Sequence, residues 1–128
     1  MKKYNICFWT IFFVSAAAFV LLSLNGNVWY DEAYTLEMIK HSFSEIAEIT
    51  AADVHPPMYY YMLKIFMLPF GENLFAAKIF SIIPICLTML VGYFGIGRIS
   101  NRLTGLLFCI FFAFMPVFTI YAVQVRMY

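Results

Sequence analysis

The chain has 128 residues, of which 64% are hydrophobic, 20% aromatic and only 12% charged, with a formal net charge of +1. An average soluble domain carries about 25% charged residues, because its surface faces water. The composition therefore excludes a soluble globular domain and predicts an all-α integral membrane protein. At about 20 apolar residues per helical crossing, the length leaves room for three or four crossings and one extramembrane segment.

Three long uncharged stretches predict membrane-spanning helices at about residues 6–24, 79–97 and 104–123. Pro84 and Pro116 fall inside the second and third stretches. Membrane helices tolerate proline, so we expect kinks at these positions and not helix ends. The first stretch loosely resembles a cleaved signal peptide, but its apolar run exceeds the usual length of about 7–15 residues. An uncleaved membrane anchor is therefore favoured.

The order of charges along the chain predicts its orientation in the membrane. Two lysines precede the first span, and Arg98 and Arg102 lie between the second and third, which predicts that these flanks are cytoplasmic. The intervening segment, 25–78, contains all seven acidic residues against three lysines. We expect this outer segment to lie outside the membrane and the amino terminus to lie in the cytoplasm. Arg126 is an isolated cation at the outer end of the third span, against the charge bias.

The outer segment contains helical patterns of its own. Apolar residues recur every three or four positions over 33–49, which predicts an amphipathic helix lying along the membrane surface. Ser42 and Glu45 have the spacing of a capping box, which would divide this helix in two. The two prolines at 56–57 suit the first turn of a further interfacial helix.

Ionisable residues gather at the outer ends of the predicted spans. Asp31 and Glu32 follow the first span, Lys78 begins the second, and Arg126 follows the third. The predicted topology brings all of them, together with His55, to one membrane face. A carboxylate can take a proton from an attacking hydroxyl, and cations can hold a phosphate leaving group. The set therefore suits a reaction on a lipid-linked phosphate.

Each of these residues also has a simpler structural interpretation. Asp31 can cap the helix that follows it, and His55 can be an ordinary turn residue before two prolines. Arg126 and Lys78 can extend their long side chains to the lipid headgroups. Their coincidence at one membrane face is what favours a site.

Three motifs occur in the order and spacing of the amino-terminal part of GT-C glycosyltransferases. They are WYDEA at 29–33, DVHPP at 53–57 with Tyr59 and Tyr60 after it, and QVRMY at 124–128. The whole chain resembles the group, of the family 39 type, that contains the protein O-mannosyltransferases and lipid A aminoarabinose transferase. Members of that group continue through many more helices. We therefore expect 1–128 to be the amino-terminal part of such a transmembrane domain, and to be inactive alone.

The resemblance implies a glycosyltransferase of the cell membrane that takes a sugar from a polyprenyl-phosphate carrier and inverts its anomeric centre. The implied catalytic base is Asp31. The implied substrate-binding residues are Glu32, His55, Lys78 and Arg126, the last as a ligand of the lipid phosphate. The acceptor would be a hydroxyl or phosphate of a protein, lipid or glycan. The motifs contain no evident metal-ligand set, leave the need for a divalent metal open, and imply no nucleic-acid partner.

The main alternative is a small non-catalytic membrane subunit or a transporter fragment, in which the acidic outer segment recruits a partner or a cation. Transporters place ionisable residues near the bilayer midplane. The three predicted spans contain no such residue. A purely structural membrane anchor would leave the three motifs unexplained.

Overall fold

Helices follow one another along almost the whole of the described chain. The structure is a computed structural model and describes residues 2–53 and 55–126. Within these ranges the helices are α1 (Lys2–Ser23), α2 (Tyr30–Met38), α3 (Phe43–Ala52), α4 (Met58–Met67), α5 (Leu74–Val91), a π-helical turn (Gly92–Ile96), α6 (Gly97–Ile99), α7 (Arg102–Phe114) and α8 (Pro116–Ala122). Val54 of the DVHPP motif and residues 127 and 128 of the QVRMY motif lie outside the described residues.

Two helical stretches are long and apolar enough to cross a membrane. They are Lys2–Ser23, with 22 residues, and Leu74–Ile99, with 26. The pair α7 and α8 makes a third crossing only if it counts as one span, because the two helices are bent by 65° at the break between them. These stretches support the integral membrane protein predicted from the composition, with two spans or, with the bent pair, three.

Pro116 separates two helices where a kink in one continuous helix was expected. α7 ends at Phe114, and Met115 is extended, with φ −74° and ψ 118°. A proline ring disfavours the helical conformation of the residue before it, so the break falls at Met115. Pro116 then takes the first position of α8, where its missing N–H is not needed. Pro84 instead lies inside α5, as predicted.

The segment between α1 and α5 folds into α2, α3 and α4. The predicted capping box between α2 and α3 is confirmed. The Ser42 backbone N–H donates to Glu45 Oε2 at 2.7 Å, and the Glu45 backbone N–H donates to Ser42 Oγ at 3.3 Å. α4 starts directly after the two prolines, and Gly71 beyond it adopts a left-handed φ of 61°.

Close packing joins the π-helical turn to its neighbours α1 and α7. The rings of Phe8 and Tyr93 stack with their centroids 4.0 Å apart, and the Tyr93 hydroxyl donates to Asn5 Oδ1 at 2.7 Å. On the other side, a Cβ at Gly105 would lie only 2.6 Å from the Tyr93 carbonyl oxygen. Glycine at this position therefore allows the backbones of α7 and the π-helical turn to touch, as small residues do between membrane helices.

Candidate active site

The Asp-Glu pair lies in the first turn of α2. Acidic side chains suit this position, because the free backbone N–H groups and the helix dipole favour negative charge there. Glu32 Oε2 accepts a hydrogen bond from the Trp29 backbone N–H at 2.9 Å. Glu32 is buried, with 1% of its surface exposed, whereas the Asp31 side chain is 54% exposed. The two neighbouring carboxylates therefore have different surroundings.

Glu32 joins the beginning of α2 to the chain that follows α8. Its second oxygen, Oε1, accepts a hydrogen bond from the backbone N–H of Val125 at 2.8 Å. Both carboxylate oxygens thus accept from the backbone. This buried link brings Arg126, which follows Val125, close to Asp31, which precedes Glu32.

Those two residues form an ion pair. Arg126 Nη2 contacts Asp31 Oδ2, and the Arg126 side chain is only 20% exposed. Hydrogen bonds between a guanidinium and a carboxylate are charge-assisted and stronger than neutral ones. The structure therefore brings together two charged residues that are 95 positions apart in the sequence.

A second polar group lies where α3 ends. Asp53 is the C-cap of α3, and its Oδ2 lies 2.8 Å from His55 Nδ1. The same oxygen accepts a hydrogen bond from the Tyr34 hydroxyl at 3.1 Å. Desolvation, the hydrogen bond to Asp53 and the charge of Asp53 raise the pKa of the Tyr34 hydroxyl. Tyr34 therefore stays a hydrogen-bond donor at neutral pH.

The ion pair and this second group face one cavity of about 300 Å³, a size at the small end of the range for small-molecule sites. The lining consists of Tyr30, Asp31, Tyr34, Thr35, Asp53, His55, Tyr60 and Arg126. Of the five residues predicted from the sequence, the structure brings Asp31, His55 and Arg126 together here. Among residues 2–53 and 55–126, no three His, Cys, Asp or Glu side chains are grouped to hold a metal ion.

Lys78 lies apart from the cavity lining. Its side chain is buried, and Nζ donates to the carbonyl oxygens of Asn25 at 2.7 Å and Asn27 at 3.1 Å. These carbonyls belong to the connection between α1 and α2. Lys78 therefore fixes this connection, and with it the point at which α2 begins.

A second cavity, of about 360 Å³, lies between α2 and α4 and contains none of the predicted site residues. Two lysines line it, and both already have partners. Lys64 Nζ donates to the Ile39 and His41 carbonyls, at 2.7 and 2.8 Å. Lys40 pairs with Glu37 and Glu72 at its edge. Of these two cavities, only the smaller one combines a carboxylate, an imidazole and a guanidinium.

Five residues that line the smaller cavity were not predicted as site residues: Tyr30, Tyr34, Thr35, Asp53 and Tyr60. Two of them, Asp53 and Tyr34, form the polar group that includes His55. Asp53 belongs to the DVHPP motif, and its separation of two positions from His55 was the available signal. Tyr34 follows Asp31 by three positions on α2, and residues with this spacing share a helix face. Both residues could therefore have been predicted from the sequence.

The fold and the site define a class of protein: a helical integral membrane protein with a cavity lined by carboxylates, an imidazole and a guanidinium. A family model described as dolichyl-phosphate-mannose-protein mannosyltransferase matches residues 54–127, more than half of the chain. The chain belongs to this family, which supports the resemblance to GT-C mannosyltransferase-like enzymes and makes it a membrane glycosyltransferase by family. The match includes His55, Lys78 and Arg126 and begins after Asp31 and Glu32. No curated protein and no solved structure matches the chain significantly.

Proposed function

We propose that the protein transfers a sugar from a polyprenyl-phosphate carrier to an acceptor hydroxyl or phosphate on the outer face of the membrane. The observation that carries this proposal is the ion pair of Asp31 and Arg126 in the wall of a cavity that also contains His55. The proposed base, Asp31, and the proposed phosphate ligand, Arg126, thus line the same cavity. The family description adds the type of donor, a sugar linked to a lipid phosphate.

Asp31 is the proposed catalytic base. In a direct displacement, the acceptor oxygen attacks the anomeric carbon as the bond from that carbon to the phosphate oxygen breaks. The bonding electrons leave with the phosphate, and the anomeric centre is inverted. Asp31 takes the proton that the acceptor loses. One carboxylate is enough for this reaction, and Asp31 is sufficiently exposed in the cavity to meet a substrate.

Arg126 is the proposed ligand of the lipid phosphate. A guanidinium presents a planar set of N–H donors that matches phosphate oxygens, and its charge offsets the negative charge that develops on the leaving group. The phosphate would compete with Asp31 for this guanidinium. Donor binding would therefore release the carboxylate of Asp31 next to the reacting carbon.

Glu32 and Lys78, implied by the resemblance to bind substrate, serve this proposal as positioning residues. Both are buried, and their polar atoms hold backbone groups of the segments that carry Asp31 and Arg126. The proposal keeps the orientation expected from the charge distribution, with the amino terminus in the cytoplasm and 25–78 outside.

The test is sugar transfer by membranes from cells that express the complete open reading frame containing this chain. The donor is polyprenyl phosphate mannose labelled in the sugar. Wild-type membranes should transfer the label, and Asp31→Asn should lower the rate by about a hundredfold or more. Glu48→Gln, which removes an exposed carboxylate of α3 outside the cavity, serves as the matched control.

The distribution of label among lipid extract, precipitated protein and glycan identifies the class of acceptor. An Asp31→Asn protein that transfers sugar as fast as the Glu48→Gln control would overturn the assignment of the base. A wild-type protein that releases no sugar from the polyprenyl phosphate donor would contradict the proposed function.

A further inference from the structure

Asp53 and His55 form a hydrogen-bonded pair in the same cavity as the Asp31–Arg126 ion pair. We propose that Asp53 is a positioning residue, which orients His55 so that its Nε2 atom accepts a hydrogen bond from a substrate hydroxyl. The identity of the substrate rests on the proposed function. The hydroxyl belongs either to the donor sugar or to the acceptor, and both present the same O–H group.

The proton positions follow from the chemistry of the two side chains. An ionised carboxylate only accepts hydrogen bonds, so the ring nitrogen that lies 2.8 Å from Asp53 Oδ2 must carry a proton. That nitrogen is Nδ1. In the neutral imidazole the lone pair is then on Nε2, which becomes the acceptor. Asp53 thereby determines which kind of substrate group His55 can bind.

The position of Asp53 argues against a purely local structural role. It is the C-cap of α3, where the unpaired carbonyls of the helix end carry partial negative charge and disfavour an acidic side chain. Within the described residues, the Asp53 carboxylate is hydrogen-bonded to Tyr34 and His55, and both line the cavity. The carboxylate therefore opposes the helix dipole and contacts groups of the site.

Tyr34 strengthens this arrangement from a second helix. Its hydroxyl donates from α2 to the same oxygen that faces His55. The raised pKa of this hydroxyl keeps it protonated, so it donates to Asp53 Oδ2 alongside the Nδ1–H of His55. Asp53 is thus fixed by one donor while it orients the other.

The first experiment measures the tautomer of His55 directly. The complete protein, labelled with ¹⁵N-histidine and reconstituted in nanodiscs, is examined by NMR, and a His55→Gln sample identifies the His55 signals. Wild-type His55 should be protonated at Nδ1 with a free Nε2. Asp53→Asn should shift this equilibrium toward the Nε2–H form, because the new amide can donate to Nδ1. His41, whose ring lies 3.9 Å from Glu45, is the internal reference.

The second experiment separates the two possible hydroxyls by kinetics. Asp53→Asn and His55→Gln should each raise one Michaelis constant by about three- to tenfold, the effect of one lost hydrogen bond. The double variant should be no worse than His55→Gln alone. A raised KM for polyprenyl phosphate mannose assigns the hydroxyl to the sugar, and a raised KM for the acceptor assigns it to the acceptor. Glu48→Gln should leave both constants unchanged.

The outcomes distinguish this inference from the proposed function. A wild-type His55 protonated at Nε2, or an Asp53→Asn protein with the wild-type tautomer, overturns the inference. The inference is also overturned if Asp53→Asn and Glu48→Gln have equal KM values while Asp31→Asn is inactive. In that case the proposed function still stands, because Asp31 remains necessary for transfer. If the wild type transfers no sugar, the proposed function fails, and the NMR measurement still decides the role of Asp53.

Discussion

The carboxylate of Glu32 accepts a hydrogen bond from the backbone N–H of Val125 at 2.8 Å, across 93 positions of the chain. Each of these residues is the direct neighbour of one member of the Asp31–Arg126 ion pair. Glu32 and Val125 are both buried, so water does not compete for this hydrogen bond. The geometry of the partly exposed Asp31–Arg126 ion pair therefore depends on a buried contact beside it.

Glu32→Ala should destabilise the protein by about 1–3 kcal/mol, because it leaves the buried Val125 N–H without its acceptor. The measurement is thermal unfolding of the purified protein in detergent. Glu37→Gln is the control, since Glu37 lies on the same helix in an exposed ion pair with Lys40, and such pairs contribute about 0–1 kcal/mol. Equal melting temperatures for Glu32→Ala and Glu37→Gln would show that the link to Val125 is unimportant.

Lys78→Met should lower the melting temperature while the KM for the polyprenyl phosphate donor stays unchanged. The substitution removes two hydrogen bonds from the charged Lys78 Nζ to the carbonyls of Asn25 and Asn27. A hydrogen bond to a charged group typically contributes about 1.5–3 kcal/mol to stability. Lys40→Met, which removes an exposed lysine, is the control. A higher donor KM with unchanged stability would instead place Lys78 among the substrate ligands that the family resemblance implies.

Arg126→Lys should lower kcat/KM for the polyprenyl phosphate donor by about tenfold. The substitution keeps the positive charge and loses the forked guanidinium that matches a phosphate or a carboxylate. Initial rates of sugar transfer at varied donor concentration measure the effect. Arg98→Lys makes the same change at an exposed arginine of α6 and should leave the rates unchanged. Identical rates for the two variants would mean that the fork of Arg126 has no part in donor binding.

Gly105→Ala should destabilise the packing of α7 against the π-helical turn. Its new Cβ would meet the Tyr93 carbonyl oxygen at 2.6 Å and the backbone of Gly97 at 3.1 Å. Backbone atoms cannot turn aside as a flexible side chain can, and overpacking of this kind typically costs about 1–3 kcal/mol. At Gly95 the nearest atom to a new Cβ is 4.0 Å away, so Gly95→Ala should be tolerated. Thermal unfolding of both variants tests the difference, and equal losses would contradict it.

The amino end of α3 should lose stability in acid. Hydrogen bonds from the backbone and side chain of Ser42 lower the pKa of Glu45 from its ordinary value of 4.5. Because the folded pKa lies below the unfolded one, the contribution is complete above about pH 4.5. It is lost as the pH falls through the lower folded value. Hydrogen exchange of α3 amides, corrected for intrinsic rates, should quicken below that pH.

Glu45→Gln should make exchange in α3 less dependent on pH, since the amide does not titrate. Ser42→Ala should weaken the cap by about 1 kcal/mol at neutral pH. The same exchange measurement on α2 provides the reference within each sample. An α3 helix whose protection follows pH equally in wild type and Glu45→Gln would exclude the carboxylate as the cause.

Local sequence rules predicted the features that depend on neighbouring residues. The capping box of Ser42 and Glu45 needs only residues three positions apart, and it is present. The membrane character follows from composition alone. The break at Pro116 was also available locally, because a proline restricts the residue before it. The length of the uncharged stretch 104–123 instead favoured one continuous span.

Contacts between distant segments were not available from the sequence. Nothing near Glu32 indicates that its partner is the backbone of Val125, and nothing near Lys78 indicates the carbonyls of Asn25 and Asn27. Both side chains were interpreted as substrate ligands because the family resemblance implied that role. In the structure, both side chains instead form hydrogen bonds with backbone groups of distant segments. This role becomes visible only in the three-dimensional arrangement of the helices.

The 65° bend at Met115 decides whether Arg126 reaches Asp31 at all. α8 has seven residues, a length of about 10 Å. Straightening the bend at Met115 would therefore move the far end of α8 by about 11 Å. No rotation of an arginine side chain recovers a displacement of that size while the backbone link to Glu32 is also broken. The angle between α7 and α8 thus controls how far Arg126 reaches, and substitutions at Met115 or Pro116 would move this cation without altering any charged residue.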